Sequence, residues 1–396
     1  MEFRFTPAEE SFRATVRGFL KKEMPKEWAE HHATEEWGTK EGHALARTFT
    51  KKLAKRGWLG MAWPKEYGGG GASHMEQLIY NEEMSYHGAS VDMPILTGIQ
   101  WVGPSLMLYG TEEQKKTYIP KILSADIGFC TFYSEPGAGS DLAALQTRAV
   151  ADGDDFVVNG QKIWTGGAHL ADFGWLAART DPAAPKHKGI SMFIVDMKTP
   201  GLEVRPLGWM DGSYTHNEDF FTDVRIPKTG LVGELNRGWY LLATALDFER
   251  SGVGGFAGAR HTLERFVEFA RSHKLGGRRL ADSATLRAKL AELKVEIEAG
   301  RFLAYRIAWM QSKGLVPNKE ASMSKVFGSE LGQRISRVGM EMLGLHGQLV
   351  KGSKWAPLDG AVEQGYLSSV SATIAAGTSE IQRNIIAQRG LGLPRG

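Results

Sequence analysis

The sequence lacks the features that mark several large classes of protein. It has a single cysteine, Cys130, among 396 residues, so neither a disulfide framework nor a cysteine-built metal site is possible. This indicates a reducing compartment, and we expect a cytoplasmic protein. The N-terminal stretch lacks the charged-then-apolar form of a signal peptide, and no apolar run approaches the length of a membrane span.

An excess of one charge is also missing. The formal net charge is only +3, and no run of lysine and arginine has the length that nucleic-acid binding uses, so we expect no nucleic-acid partner. Hydrophobic residues make up 42% of the chain and charged residues 23%, which is typical of a globular protein rather than a disordered one. The length suffices for two or three domains.

The hydrophobic pattern changes its period twice along the chain. Residues 1–126 follow helical spacing, and their first helix is predicted to begin at a capping box of Thr6 and Glu9. Residues 127–233 are short β-rich runs between turn residues, with Asn159-Gly160 predicting a hairpin. Residues 234–396 are helical again, with one long segment predicted over 237–273. The sequence therefore predicts an α+β architecture of three domains.

Two turn-rich stretches of the β region carry groups that suit a polar, planar ligand. "CTFYSEPGAGSD", residues 130–141, ends a predicted strand in a turn whose N–H groups and serine hydroxyls are available to polar atoms. "NGQKIWTGGAHLAD", residues 159–172, places Trp164 beside glycines, as a planar heterocycle would require. Taken singly, a plain β-turn and a core tryptophan are the simpler interpretations, and only the joint occurrence favours a ligand site.

A third stretch, "GTSEIQRNIIAQRGLG", begins a predicted helix at Thr378, where free N–H groups favour phosphate. In this order and at these separations the three stretches resemble the acyl-CoA dehydrogenase family, and the resemblance covers almost the whole chain. It implies an N-terminal helical domain, a middle β-barrel domain and a C-terminal four-helix bundle, with FAD between the last two. It also implies a tetramer.

The same resemblance implies a reaction and a set of residues. A carboxylate removes the α-proton of an acyl-CoA while the β-hydrogen leaves as hydride to the flavin, giving a trans-2-enoyl-CoA; an electron-transfer flavoprotein then reoxidises the flavin. The cofactor residues implied are Thr131, Tyr133, Ser134, Ser140, Trp164, Thr165, Thr378 and Glu380. The substrate residues implied are Ser140 and Arg250, the latter near the CoA portion.

The catalytic base is the main departure from the family pattern. Many members carry an acid immediately before "GTS", but here that position is Ala376, whose backbone N–H is still able to polarise the thioester oxygen. A branch that includes isovaleryl- and long-chain acyl-CoA dehydrogenases carries its glutamate on a helix further upstream. In "ATALDFERSGVGG", Glu249 falls on that glutamate.

Helical spacing gives an independent reason to consider Glu249. On one continuous helix it lies within an apolar stripe, where desolvation raises the pKa of a carboxyl and makes it a better base. The stripe consists of Leu242, Leu246, Val253 and Phe256. The alternative for Glu249 is a buried structural ion pair. The small residues around these positions, Ala375, Ala376 and the glycines of 252–255, indicate a bulky, branched or cyclic acyl group.

Three further positions depart from the family. Gly166 stands where members often carry a hydroxyl that binds flavin N5; His273 stands roughly where an arginine reaches the neighbouring subunit's FAD; and Glu341 begins an altered "EMLGLHGQ". These departures resemble bacterial members that form α2β2 heterotetramers in steroid or cyclic-acid breakdown, so both a homotetramer and a heterotetramer are expected alternatives. An oxygen-using oxidase or monooxygenase of this fold and a non-catalytic partner subunit are the alternatives in function.

Overall fold

A computed structural model describes residues 4–26, 28, 38–245, 252–275 and 277–394. Contacts divide the chain into two compact units, which we name the helical unit (1–22, 73–89 and 250–396) and the β unit (23–72 and 90–249). The first 126 residues thus contribute to both units, while the domain limits at 126 and 233 remain predictions. In the described part of the chain, no helix is long and apolar enough to cross a membrane.

Helices occupy both ends of the chain, as the hydrophobic spacing predicts. Those described are, in chain order, α1 Pro7–Glu23, α2 Lys40–Lys55, α3 His74–Tyr86, α4 Met93–Thr97, α5 Gly103–Tyr109, α6 Glu112–Leu123, α7 Gly238–Ala245, α8 Val253–Ser272, α9 Ala284–Ser312, α10 Asn318–Leu343, α11 Ala361–Ala372 and α12 Ser379–Ile385. The capping box at the start of α1 is confirmed, because the Thr6 N–H donates to Glu9 Oε2 at 2.7 Å and the Glu9 N–H donates to Thr6 Oγ1 at 3.3 Å.

The helical unit is built around α8, α9 and α10. Their buried faces share one apolar core, to which α3 adds Leu78. The helices α8 and α9 approach closely, since a Cβ on Gly300 would lie 2.1 Å from Cε1 of Phe256. A buried ion pair fixes α1 to α3, with Arg13 Nη1 donating to Glu82 Oε2 at 2.8 Å. Two helices from the first 126 residues therefore complete the C-terminal bundle.

The β unit contains one large sheet. Its strands are β1 Phe129–Phe132, β2 Arg148–Asp152, β3 Asp155–Gly166, β4 Phe173–Arg179, β5 Ile190–Asp196, β6 Leu202–Leu207, β7 His216–Pro227 and β8 Leu231–Val232. The hydrogen-bonded order is β6-β7-β3-β2-β4-β5-β8, and β1 pairs in parallel with β4. Cys130 is fully buried in the sheet's core with Phe132, Phe193 and Phe221.

The predicted hairpin at Asn159-Gly160 is wrong. β3 runs without a turn from 155 to 166 and pairs with β7, with a register shift between Val158 and Gly160. Asn159 supports this bulge, because its Nδ2 donates to Asp223 Oδ1 at 2.9 Å and its Oδ1 accepts from the Asp223 N–H at 2.9 Å. The hairpin turn lies at Gly153, where φ is +58° and Asp152 faces Asp155.

The single helix predicted over 237–273 is also wrong. The structure has α7 and α8 instead, and Gly252 before α8 has a φ of +65°, which is incompatible with a continuing right-handed helix. Leu242 packs in the core of the β unit, whereas Val253 and Phe256 pack in the core of the helical unit. These three residues are buried as expected, but they do not form one helix face.

The bulge at Gly160 gives a test of the sheet. Replacing Gly160 by alanine would place a Cβ 2.5 Å from Thr147 Oγ1 and 2.7 Å from Thr147 Cα, so the backbone at Thr147, just before β2, would have to shift. We expect a loss of about 1–3 kcal/mol in the free energy of unfolding, measured by urea denaturation. Gly139→Ala is the control, because nothing lies within 4 Å of its added Cβ. Equal stability of the two variants would contradict this packing.

Candidate active site

Trp164 lies at a second bulge of β3. The pairing of β3 with β7 shifts between Ile163 and Thr165, and Trp164 between them has a left-handed φ of +63°. Such a conformation costs a non-glycine residue free energy and is concentrated at functional sites. The bulge turns the Trp164 side chain out of the sheet, where 59% of it is exposed. The simpler interpretation as a core tryptophan is therefore wrong.

An aromatic cluster extends from Trp164 along the same edge of the sheet. Trp209 meets Trp164 edge-on with ring centroids 6.4 Å apart, and its other neighbour is His216, at 4.6 Å. Sequence reasoning did not include Trp209 or His216, since β6 and β7 are brought beside Trp164 only by the pairing of the sheet. The β unit thus presents a flat aromatic side chain that is supported by further rings.

Thr165 and Asp219 are buried polar residues beside this cluster. Thr165 is 1% exposed, and its hydroxyl has no hydrogen-bond partner among the described residues. Asp219 on β7 is fully buried and neither carboxylate oxygen has a hydrogen-bond partner there. Burial raises the pKa of Asp219 to about 7. Buried polar atoms without partners are rare, and they favour a site that a ligand completes.

The stretch 130–141 continues from β1 into a tight turn. Thr131, Tyr133 and Ser134 are half-buried, and Ser140 at the end of the turn is exposed. The turn closes on itself, with the Glu135 N–H donating to the Ala138 carbonyl at 3.1 Å. The Ile163 N–H donates to the Ser134 carbonyl at 2.9 Å, so this turn is bonded directly to the strand that carries Trp164. The structure therefore brings the stretches 130–141 and 159–172 together.

A buried ion pair reinforces this junction. Lys162 is 0% exposed, and its ammonium donates to Glu135 Oε1 at 2.8 Å and to the Tyr133 carbonyl at 3.0 Å. Glu135 also accepts from the N–H groups of Gln146 and Thr147, at 2.6 and 2.9 Å. Burial lowers the pKa of Lys162 to about 8. Burial alone would raise the pKa of Glu135, but the ammonium of Lys162 holds the pKa of Glu135 below its usual value. Sequence reasoning missed this pair, although one charge of each sign, Glu135 in the first stretch and Lys162 in the second, was its signal.

The helical unit carries the residues predicted around 376–380. Ala376 and Gly377 have left-handed φ angles of +53° and +83°, and Gln382 Nε2 donates to the Ala376 carbonyl at 3.2 Å. The Ala376 N–H makes no hydrogen bond within the described residues. Thr378 caps α12, because its Oγ1 accepts from the Ile381 N–H at 3.2 Å, which confirms the predicted helix start.

A groove of about 510 Å³ lies beside this turn. Its lining is Glu330, Gln333, Arg334, Arg337, Thr373, Ile374, Thr378, Ser379 and Glu380. Two of these, Thr378 and Glu380, are residues predicted to meet the dinucleotide, and Arg334 and Arg337 add positive charge that sequence reasoning missed. Ser379 is 4% exposed, and its hydroxyl has no partner among the described residues. Glu330 and Glu380 add two carboxylates to the same lining, and Arg334 Nε already donates to Glu296 Oε2 at 3.1 Å, so the groove has no excess of positive charge.

The remaining predicted residues divide into two groups. Glu249 and Arg250 lie outside the described residues. His273 ends α8 and stacks on Phe269 with ring centroids 3.7 Å apart, and Glu341 on α10 pairs with Lys289. Both side chains are exposed.

Comparison with known proteins identifies the family. Family models for the N-terminal, middle and C-terminal domains of acyl-CoA dehydrogenase match residues 6–126, 130–224 and 236–391. The acyl-CoA dehydrogenase FadE26 of Mycobacterium tuberculosis is 40% identical over 402 residues, covering 100% of this chain and 99% of the relative. This chain belongs to the acyl-CoA dehydrogenase family.

Solved structures agree along the full length of the acyl-CoA dehydrogenase chain. The ChsE4–ChsE5 complex from Mycobacterium tuberculosis aligns with a TM-score of 0.89 at 40% identity and covers 100% of both chains. The Tcur3481–Tcur3483 steroid ACAD aligns with a TM-score of 0.90 at 37% identity, with the same coverage. The predicted three-domain fold and the predicted class of enzyme are confirmed.

Acyl-CoA dehydrogenases are FAD-dependent flavoproteins, and the described residues fit such a cofactor. The β unit offers the exposed face of Trp164 and the unpaired hydroxyl of Thr165, which suit a planar ring with a polar edge. The groove of the helical unit has two carboxylates and two guanidinium groups in its lining, so its charge does not by itself favour the anionic part of a dinucleotide. The β unit therefore has groups that match the ring end of FAD.

The ion pair of Glu135 and Lys162, which joins the stretches 130–141 and 159–172, gives a test of how the site is held together. Lys162→Met leaves the Glu135 carboxylate buried without its partner, so we expect a loss of about 3–5 kcal/mol in the free energy of unfolding. Lys186→Met is the matched control: Lys186 pairs with Asp141 at the exposed end of the same motif, with side chains 52% and 57% exposed. We expect this control to lose less than about 1 kcal/mol in urea denaturation. Similar losses in both variants would refute the proposed importance of the buried pair.

Proposed function

We propose that this acyl-CoA dehydrogenase oxidises a bulky, branched or cyclic acyl-CoA to the trans-2-enoyl-CoA, with Glu249 as the base. Bound FAD would supply the hydride acceptor. The residues that would hold its ring are Trp164 and Thr165, with Thr131, Tyr133, Ser134 and Ser140 along the neighbouring turn, and Thr378 and Glu380 at the dinucleotide. An electron-transfer flavoprotein would reoxidise the enzyme.

The observation that carries this proposal is the turn at Ala376. A methyl group stands where many relatives carry the acid, so the side chain has no proton-accepting group. The backbone keeps a donor, because the Ala376 N–H has no hydrogen bond within the described residues. The left-handed φ of +53° costs an alanine free energy, which favours a functional reason for this conformation. We assign to this N–H the polarisation of the thioester oxygen, which makes the α-proton more acidic.

Glu249 is proposed as the base because it matches the upstream glutamate of one branch of the family. The apolar-stripe argument is weaker than the sequence indicated, since Leu242 belongs to a different core from Val253 and Phe256. The motif match and the absence of an acid at Ala376 therefore support the assignment. Arg250, which follows Glu249, is proposed to contact the CoA portion.

The proposal of a bulky acyl group rests on small residues and on the relatives. Gly254 has a packing reason, because its Cβ would lie 2.6 Å from Ser85 Oγ, and Gly252 serves the left-handed start of α8. Ala375 and Ala376 remain as positions that leave room. The similar steroid ACAD supports a cyclic acyl group, and the complex of ChsE4 with ChsE5 supports an α2β2 heterotetramer over a homotetramer. We propose that this chain is the subunit that carries the base.

Replacement of Glu249 tests the assignment of the base. We expect Glu249→Gln to retain yellow, FAD-bound protein but to slow anaerobic bleaching by substrate at least about a hundredfold, because general-base catalysis is lost. Asp247→Asn is the control, since Asp247 is the nearest other acid in the sequence. Stopped-flow absorbance under anaerobic conditions measures both. Unchanged bleaching in Glu249→Gln would remove Glu249 as the base, whereas loss of FAD would assign it to the fold.

A panel of substrates tests the acyl group and the electron acceptor. With an artificial acceptor, we expect kcat/KM for a cyclic or branched acyl-CoA to exceed that for butyryl-CoA by about tenfold or more, because a pocket that a linear chain leaves unfilled binds it weakly. A clear preference for butyryl-CoA would contradict the proposal.

Peroxide formation in air at the same rate would favour the oxidase alternative, which the missing hydroxyl at Gly166 keeps open. A colourless protein that binds no FAD would favour a non-catalytic subunit.

A further inference from the structure

His216 occupies a position next to Trp164 that the family resemblance does not assign. It begins β7 and is the direct cross-strand partner of Gly166, the last residue of β3. Opposed residues of an antiparallel pair extend to the same face of a sheet. Because Gly166 has no side chain, the His216 ring reaches over it: a Cβ on Gly166 would lie 3.7 Å from His216 Nε2 and 3.3 Å from Met93 Sδ.

The orientation of the His216 ring is fixed from two sides. Its Nδ1 lies 2.9 Å from the Thr215 hydroxyl, and its face lies against Trp209, with ring centroids 4.6 Å apart at 38°. Trp209 in turn meets Trp164 edge-on. Nε2 has no hydrogen-bond partner in the part of the chain that the structure describes. The ring is therefore held by neighbours that leave one polar atom available on the side of Gly166.

The imidazole is also neutral at physiological pH. Burial lowers the pKa of His216 to about 4. When the Thr215 hydroxyl donates to Nδ1, the single ring proton is on Nε2, which makes Nε2 a donor without a net charge. A neutral donor beside an exposed tryptophan suits the acceptor atoms at the edge of a planar heterocycle.

We propose that His216 is a cofactor-binding residue, whose Nε2–H donates to the polar edge of the ring system that Trp164 faces. This inference rests on the proposed position of the flavin ring at Trp164. His216 would supply, from β7, a hydrogen bond that Gly166 on β3 has no side chain to make. Thr215 and Trp209 act as positioning residues, because they fix the position and the plane of the ring.

His216→Phe tests this assignment in the holoenzyme, since phenylalanine keeps a ring against Trp209 but has no donor. We expect the dissociation constant of FAD, measured by the fluorescence of released FAD on dilution, to rise about three- to tenfold. His187→Phe is the matched control, because His187 is an exposed histidine packed on Trp239 of the same unit, at 4.7 Å. We expect its dissociation constant to match that of the unmodified protein. Equal values for His216→Phe and His187→Phe would overturn the proposal.

A second measurement does not depend on the variant's folding. In ¹⁵N-histidine-labelled protein without substitutions, we expect the Nε2 resonance of His216 to remain that of a protonated, pyrrole-type nitrogen and to shift when FAD is removed. A resonance that is the same with and without FAD would assign any weakening in His216→Phe to packing and so overturn the proposal.

Trp164→Ala separates this inference from the proposed function. If His216→Phe has no effect while Trp164→Ala weakens FAD binding, the assignment of His216 alone fails. If Trp164→Ala also leaves the dissociation constant unchanged, the proposed place of the flavin ring fails as well.

Discussion

The buried ion pair of Glu135 and Lys162 is the interaction on which the candidate site depends. It joins two segments that are 27 residues apart, and both segments carry groups proposed to bind the cofactor. Burying two charges is costly, and the Coulombic gain offsets that cost only when the remaining lone pairs and protons are bonded. Here the Tyr133 carbonyl and the N–H groups of Gln146 and Thr147 complete the bonding. The pair therefore specifies one arrangement of the turn and the strand.

Backbone strain marks the site in both units. Trp164 and Ala376 are non-glycine residues with left-handed φ angles, and each is held by its surroundings: a register shift in β3 and the bond from Gln382 to the Ala376 carbonyl. Such conformations persist only where neighbouring structure fixes them. In one unit the strain exposes an aromatic face, and in the other it leaves a backbone donor unbonded. An exposed aromatic face would suit a planar cofactor, and an unbonded backbone N–H would suit the oxygen of a thioester.

Apart from the fold and the class of enzyme, which the resemblance to the family implied, the features that sequence reasoning predicted correctly are local ones. The Thr6–Glu9 capping box and the Thr378 cap involve residues three apart, and their chemistry determines them almost alone. The failures are non-local. Asn159-Gly160 has the composition of a hairpin turn, but the pairing of β3 with β7 makes it part of one strand with a bulge. The helix predicted over 237–273 is the exception, because the left-handed conformation of Gly252 before α8 is a local cause. The contacts of Lys162 and His216 arise only from the pairing of the sheet, so no spacing in the sequence reveals them.

The most direct test of this account is a double-mutant cycle between Lys162 and Trp164, measured as the free energy of FAD binding. If the buried pair presents Trp164 to the cofactor, then Lys162→Met should remove much of what Trp164→Ala removes. The account predicts that the double variant deviates from additivity by about 1 kcal/mol or more. Additive effects, within about 0.5 kcal/mol, would show that the ion pair stabilises the sheet without shaping the site.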